Sequence, residues 1–112
     1  MAPIDLGSYK SIYLKTAKEY VDKISISLDQ LSSDVSNKDA LNNLHIASHS
    51  LKSQSQVMGY NDIAQLSKSL EEISNSALLA NNPLTNNNII DIKESFKELE
   101  GIFKRVADDT GK

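Results

Sequence analysis

The chain has 112 residues and a formal net charge of −3; 39% of its residues are hydrophobic, 24% are charged and none is cysteine. This length and balance predict a single globular domain over residues 1–112, without disulfides or thiolate metal sites. The basic residues are scattered, no apolar run is long and the N-terminus is unlike a signal peptide, which argues against nucleic-acid binding and a membrane span and indicates a cytoplasmic protein.

The first segment with helical periodicity covers about residues 8–32. Its apolar face comprises Tyr13, Ala17, Tyr20, Ile24 and Leu31. After it, Ser36 and Asp39 form a Ser-x-x-Asp pattern, which predicts Ser36 as the N-cap of the next helix.

The second predicted helix covers about residues 38–58. Its seam, at alternating steps of three and four residues, comprises Leu41, Leu44, Ser48, Leu51, Ser55 and Met58. Gly59 can adopt the left-handed conformation that ends a helix, and Asn61 is predicted to cap the third helix. Because this turn is so short, we expect the second and third helices to pack antiparallel.

The third and fourth predicted helices cover about residues 62–80 and 87–107, and each carries an apolar seam of the same kind. Pro83, between them, cannot continue a helix because it lacks the N–H group and clashes with the preceding turn. Four such helices predict an all-α fold, an antiparallel up-down four-helix bundle.

Both histidines of the chain lie on the second helix, one turn apart. At about 100° per residue, His49 lies roughly 140° from the centre of the seam, so its imidazole is predicted to face solvent. His45 and Lys52 lie on the same outward side. Ile46 and Val57 are apolar but lie off the seam, which suggests a docking surface beside the imidazole.

A solvent-facing imidazole can accept a phosphoryl group, act as a general base or bind a metal. Nucleophilic use requires a carboxylate that fixes the tautomer and a cation that faces the phosphoryl oxygens. Lys52, one turn after His49, can supply the cation. Glu71 or Glu72 on the third helix can supply the carboxylate, and the distances from the turn favour Glu71.

The segment "HSLKSQSQVMGYNDIAQLSKSLEEI" (residues 49–73) resembles histidine phosphotransfer (HPt) domains, most of all the N-terminal phosphotransfer domain of CheA-type chemotaxis histidine kinases. That family has a phosphoacceptor His, then Lys and Gly, a small residue, a Gly-aromatic pair and a Leu-Glu pair. The matching positions here are His49, Lys52, Ser55, Gly59, Tyr60, Leu70 and Glu71.

The resemblance implies that His49 is phosphorylated on its solvent-facing nitrogen, that Glu71 hydrogen-bonds the other nitrogen, and that Lys52 steadies the phosphoryl oxygens. The ATP-binding domain of a histidine kinase would donate the group, and the aspartate of a response-regulator receiver domain would take it. The expected partner-binding residues around His49 are Ile46, Ser53, Gln56, Val57 and Gly59. The chain has no nucleotide-binding glycine-rich loop, so it is expected to be a phosphoacceptor without its own kinase activity or cofactor.

Two positions depart from the family pattern. Ser53 stands where the family has a glycine after the lysine, which affects the flat surface that a partner approaches. Lys68 stands three residues before Glu71, where chemotaxis kinases usually have a second histidine. Lys68 could pair with Glu71, which would weaken the hold of Glu71 on His49.

Two other interpretations remain at this stage. An HPt-like bundle without activity would serve as a structural or adaptor domain and would keep the same seams. His45 and His49 also have the i, i+4 spacing of two metal ligands, with Glu71 as a third. However, metal sites in bundles usually use inward-facing carboxylates from several helices, so no metal is expected.

Overall fold

The computed structural model describes residues 6–81 and 84–108. These residues form four helices: α1 (Leu6–Ser33), α2 (Lys38–Met58), α3 (Asn61–Ala80) and α4 (Asn86–Asp108). Each observed end lies within two residues of the predicted one, and the described residues contain no strand. The all-α prediction is confirmed. Pro83, which was predicted to interrupt the chain between α3 and α4, lies outside the described residues.

The four helices pack as a closed ring in which each contacts its neighbours in the chain. The α2–α3 contact is the most extensive and the α1–α4 contact, which closes the ring, is the smallest. Within the described residues, the backbones of the diagonal pairs α1–α3 and α2–α4 do not approach each other. This arrangement is the up-down bundle that the sequence predicts.

The core is built from the predicted seams. The large side chains that are almost fully buried are Ile24, Leu31, Leu44, Leu51, Ile63, Leu70, Ile92 and Leu99. Met58, Leu66, Phe103 and other seam residues near the helix ends are only partly buried and pack against this core. The hydrophobic effect therefore acts along the whole length of the bundle and fixes which face of α2 remains in solvent.

A polar contact crosses the core between α1 and α2. The hydroxyl groups of Tyr13 and Ser55 are both buried and lie 2.8 Å apart. Burial raises the pKa of the Tyr13 phenol; the hydrogen bond with Ser55 opposes this increase and the nearby Tyr60 adds to it. This bond satisfies two groups that would otherwise be costly to bury.

Gly59 ends α2 in the left-handed conformation, with φ 79° and ψ 14°. Its N–H donates to the carbonyl of Gln56 at 3.1 Å, and the N–H of Tyr60 donates to that of Ser55 at 2.9 Å. A Cβ at this position would meet nothing within 4 Å, so the glycine is required by the backbone conformation alone. The prediction for Gly59 is confirmed.

Both predicted N-caps are wrong by one residue. Asn37 caps α2, because its side-chain oxygen accepts the N–H of Ala40 at 3.0 Å. Ser36 is engaged instead by Asp34, whose carboxylate accepts both its N–H and its hydroxyl. At the start of α3, Tyr60 holds the N-cap position without a side-chain hydrogen bond, and Asn61 is the first helical residue.

Candidate functional site

The candidate site lies where the exposed face of α2 meets α3. Nδ1 of His49 is hydrogen-bonded to Oε2 of Glu71, which comes from the facing turn of α3. The tight turn at Gly59 makes the two helices antiparallel, so that residues at similar distances from the turn lie opposite each other. The structure therefore brings together His49 and Glu71, which the sequence predicted to face each other because they lie at similar distances from the turn.

Glu71 fixes the orientation of the imidazole. A carboxylate can only accept a hydrogen bond, so the proton of a neutral His49 ring lies on Nδ1 and the lone pair lies on Nε2. The His49 side chain is 57% exposed, whereas that of Glu71 is only 14% exposed. The neutral ring is therefore held at Nδ1 by the largely buried Glu71, and its unprotonated Nε2 lies on the opposite side of the ring from that contact.

Lys52 completes the cluster. Its Nζ donates to Oε1 of Glu71 at 2.6 Å, and its side chain is 20% exposed. Burial would raise the pKa of Glu71, but the hydrogen bonds from Lys52 and His49, together with their charge, lower it below its usual value. Glu71 is therefore an ionised carboxylate near neutral pH, with one oxygen engaged by each of the two side chains.

Lys68 does not pair with Glu71 as the sequence had suggested. Its Nζ lies 3.9 Å from Oε1 of Glu72, at the outer limit of an ion pair, and both side chains are more than half exposed. Glu71 directs one oxygen to His49 and the other to Lys52, and Lys68 pairs instead with Glu72, which lies four residues further along the same helix. The expected weakening of the Glu71–His49 contact is not seen.

His45 shares the face of His49 but not its surroundings. It is half-buried, and its Nδ1 is inaccessible to solvent and has no hydrogen-bond partner. Helical periodicity alone predicted a more exposed position for His45, because it does not account for packing against neighbouring helices. Within residues 6–81 and 84–108, no group of three or more His, Cys, Asp or Glu side chains is arranged to hold a metal ion.

The residues expected to contact a partner extend from the turn of α2 before His49 to the C-terminal end of that helix. Ile46, Gln56 and Gly59 are exposed, Val57 is 86% exposed, and Ser53 is half-buried one turn after His49. The structure adds two exposed apolar residues of α1 to this face. Tyr9 and Ile12 border a shallow groove with Val57 and Met58. Neither residue was predicted from the sequence, because both lie outside the apolar face of α1 that packs into the core.

None of the four described helices is both long enough and apolar enough to cross a lipid bilayer.

The candidate site is an open surface cluster on the α2–α3 hairpin, with the nucleophilic nitrogen of His49, the ionised carboxylate of Glu71 behind it and the ammonium group of Lys52 beside that carboxylate. Such a cluster can accept and release an electrophilic group at Nε2.

Comparison with known proteins gives a family match over nearly the whole chain. The model of the Hpt domain family matches residues 8–107. The sequence is also similar to the chemotaxis protein CheA of Bacillus subtilis (strain 168), with 24% identity over 94% of this chain. The CheA protein of Halobacterium salinarum is 22% identical over 90% of this chain. The chain spans only about a sixth of these relatives, since the matches cover 16% and 15% of their lengths.

The fold is also found among solved structures. The CheA phosphotransferase domain from Thermotoga maritima superposes with a TM-score of 0.80, over 90% of this chain and 96% of that one. The two sequences are 21% identical, so this likeness concerns the fold.

Proposed function

The chain belongs to the Hpt domain family, and from this premise we propose that it is a histidine phosphotransfer domain whose phosphoacceptor is His49. It receives a phosphoryl group from the ATP-binding domain of a histidine kinase and passes it to the aspartate of a response-regulator receiver domain. The observation that carries the proposal is the contact of Glu71 with Nδ1 of an exposed His49, which leaves Nε2 free.

In the first step, the lone pair of Nε2 attacks the γ-phosphorus of ATP held by the kinase. The N–P bond forms, the bond from phosphorus to the bridging oxygen breaks, and ADP leaves with the electron pair. The ring, which keeps its proton on Nδ1, becomes positively charged. The carboxylate of Glu71, which already accepts the hydrogen bond of Nδ1, balances this charge.

In the second step, an aspartate oxygen of the receiver attacks the phosphorus and the N–P bond breaks. The electron pair returns to Nε2, so the imidazole is regenerated with its proton still on Nδ1. A positively charged ring is a good leaving group, and Glu71 keeps it in that form during the transfer. Lys52, hydrogen-bonded to Glu71, provides a cation beside the phosphoryl oxygens.

The partner-binding surface is proposed to be the exposed face around His49. The residues assigned to it are Ile46, Ser53, Gln56, Val57 and Gly59 of the second helix and its turn, with Tyr9 and Ile12 of the first helix. Exposed apolar side chains beside a reactive group suit an interface from which a partner excludes water. The chemotaxis relatives make a chemotaxis-type kinase and receiver the first partners to test.

The test is phosphorylation of the purified protein by such kinases with radiolabelled ATP. We expect a label that is stable in alkali, labile in acid, lost in His49→Gln and retained in His45→Gln, which removes the other histidine of the chain. Failure to label with several kinases, combined with no transfer from a phosphorylated receiver, would instead support an inactive structural or adaptor bundle.

A further inference from the structure

One basic residue lies beside the cluster of His49, Glu71 and Lys52 and is not used by the proposed mechanism. Lys68 is the only lysine or arginine of α3 and lies one turn before Glu71 on the solvent-facing rim of that helix. Its side chain is 54% exposed, and its nearest ion-pair contact in the described structure, with Glu72, is 3.9 Å long. An exposed pair of this length contributes little, so Lys68 can move to a better partner at small cost.

The unphosphorylated site is already balanced in charge without Lys68. Glu71 contributes one negative charge and Lys52 one positive charge, and they are joined by the 2.6 Å hydrogen bond. A phosphoryl group at pH 7 adds about −1.5 to −2 charges and three strong acceptor oxygens. The phosphorylated ring gains one positive charge, which Glu71 balances, so Lys52 alone faces the charge of the phosphoryl group and the cluster lacks up to about one positive charge.

The other basic groups of α2 and α3 cannot supply it. Lys38 lies at the start of α2, three turns from His49, where its Nζ donates to the side chain of Asn81 at 2.7 Å. The Nδ1 atom of His45 is buried and has no hydrogen-bond partner. Among the basic groups of α2 and α3, Lys68 remains, and its position fits. It is three residues from Glu71, a separation that places two Cβ atoms about 5–6 Å apart on a helix, and Glu71 itself touches His49.

We propose that Lys68 is a second phosphoryl-binding residue, which leaves Glu72 when His49 is phosphorylated and pairs with the phosphoryl oxygens on Nε2. This inference rests on the proposed function. The two lysines differ in one respect: Lys52 holds Glu71 in both states and also faces the phosphoryl oxygens, whereas Lys68 joins the site only in the phosphorylated state. Lys68 then does not impair the site; it adds the charge that this site needs.

The test uses chemical phosphorylation, which requires no kinase. The protein carrying His45→Gln has His49 as its single histidine and is treated with phosphoramidate. The ionisation of the phosphoryl group is then followed by the 31P chemical shift as a function of pH. We expect Lys68→Gln to raise the pKa of the phosphoryl group by roughly 0.2 to 0.7, because an exposed cation near the oxygens favours their charged form. Lys68→Arg should leave it close to the parent value.

Lys97→Gln is the matched control. Lys97 is exposed on α4, a helix that does not approach α2, and its loss changes the net charge equally. The difference between Lys68→Gln and its parent should also nearly vanish at about 1 M salt, where the screening length falls to about 3 Å. An unchanged phosphoryl pKa in Lys68→Gln, or an equal change in Lys97→Gln, would overturn the inference. Neither result bears on whether a kinase phosphorylates His49, so the two proposals can fail separately.

Discussion

At the scale of single residues, Glu71 connects the site because its carboxylate contacts both His49 and Lys52. Its oxygens are divided between His49 and Lys52, and its pKa is below the usual glutamate value of about 4.3. A carboxylate with a lowered pKa in the folded state stabilises the fold fully at pH values above its unfolded pKa. That contribution is lost as the pH falls through the folded pKa.

We therefore expect Glu71→Gln to cost about 1–2 kcal/mol of unfolding free energy at pH 7, as for a hydrogen-bonded charged group that is only partly exposed. The substitution should also flatten the decline in stability between about pH 5 and pH 3. Urea unfolding of both proteins across this range measures each effect. Glu72→Gln, which removes an exposed neighbour, should change stability by less than about 0.5 kcal/mol. An equally steep decline in Glu71→Gln would contradict the assignment.

The sequence predicted the contact between His49 and Glu71 because both positions are measured from one short turn. It did not predict the partner of Lys68, since two carboxylates in succession on α3 were both within reach. That choice depends on how each carboxylate is oriented, and only the packed structure shows that Glu71 turns its two oxygens toward His49 and Lys52. The half-burial of His45 also depends on the distance between helices, which periodicity does not contain.

At the scale of elements, four buried serines mark the α2 and α3 seams. They are Ser48 and Ser55 on α2 and Ser67 and Ser74 on α3, so each pair is seven residues apart. Small residues at this spacing allow two helices to approach closely. Their hydroxyl groups have unequal surroundings, because Ser48 and Ser74 donate to carbonyls of their own helices, while the hydroxyl of Ser67 has no partner.

This difference predicts opposite results for two alanine substitutions of the same size. Ser67→Ala removes a buried group that makes no hydrogen bond and should leave stability unchanged or raise it by up to about 1 kcal/mol. Ser55→Ala leaves the buried Tyr13 hydroxyl unpaired and should cost about 1–3 kcal/mol. Thermal and urea unfolding of the two variants provide the comparison. A destabilised Ser67→Ala would mean that its hydroxyl has a partner in solution.

The helices themselves were predictable to within two residues because periodic burial determines their extent. Their caps were not, because neighbouring polar residues compete for the same N–H groups. Ser36 matched the capping pattern, but Asp34 accepts both of its donors and Asn37 takes the cap. Tyr60 precedes α3 because Gly59 and Tyr60 are both used in ending α2.

At the scale of the whole molecule, the four contacts around the ring are unequal. The α2–α3 pair packs most extensively and α4 contacts α1 least. Regions with fewer packed neighbours open with lower free energy than the core of the fold. We expect the amide groups around Ile92 and Leu99 on α4 to exchange with solvent deuterium roughly tenfold or more faster than those around Leu51 and Leu70. Native-state hydrogen exchange followed by NMR measures this, and uniform protection across the four helices would contradict it.

The turn at Gly59 has a consequence for how the site arises. His49 and Glu71 are separated by only 22 positions along the chain, and everything between them is one helix end, one turn and one helix start. Contacts this local close quickly and at low entropic cost. During synthesis, the reactive cluster can therefore assemble as soon as α3 has left the ribosome, before α4 has emerged to complete the ring.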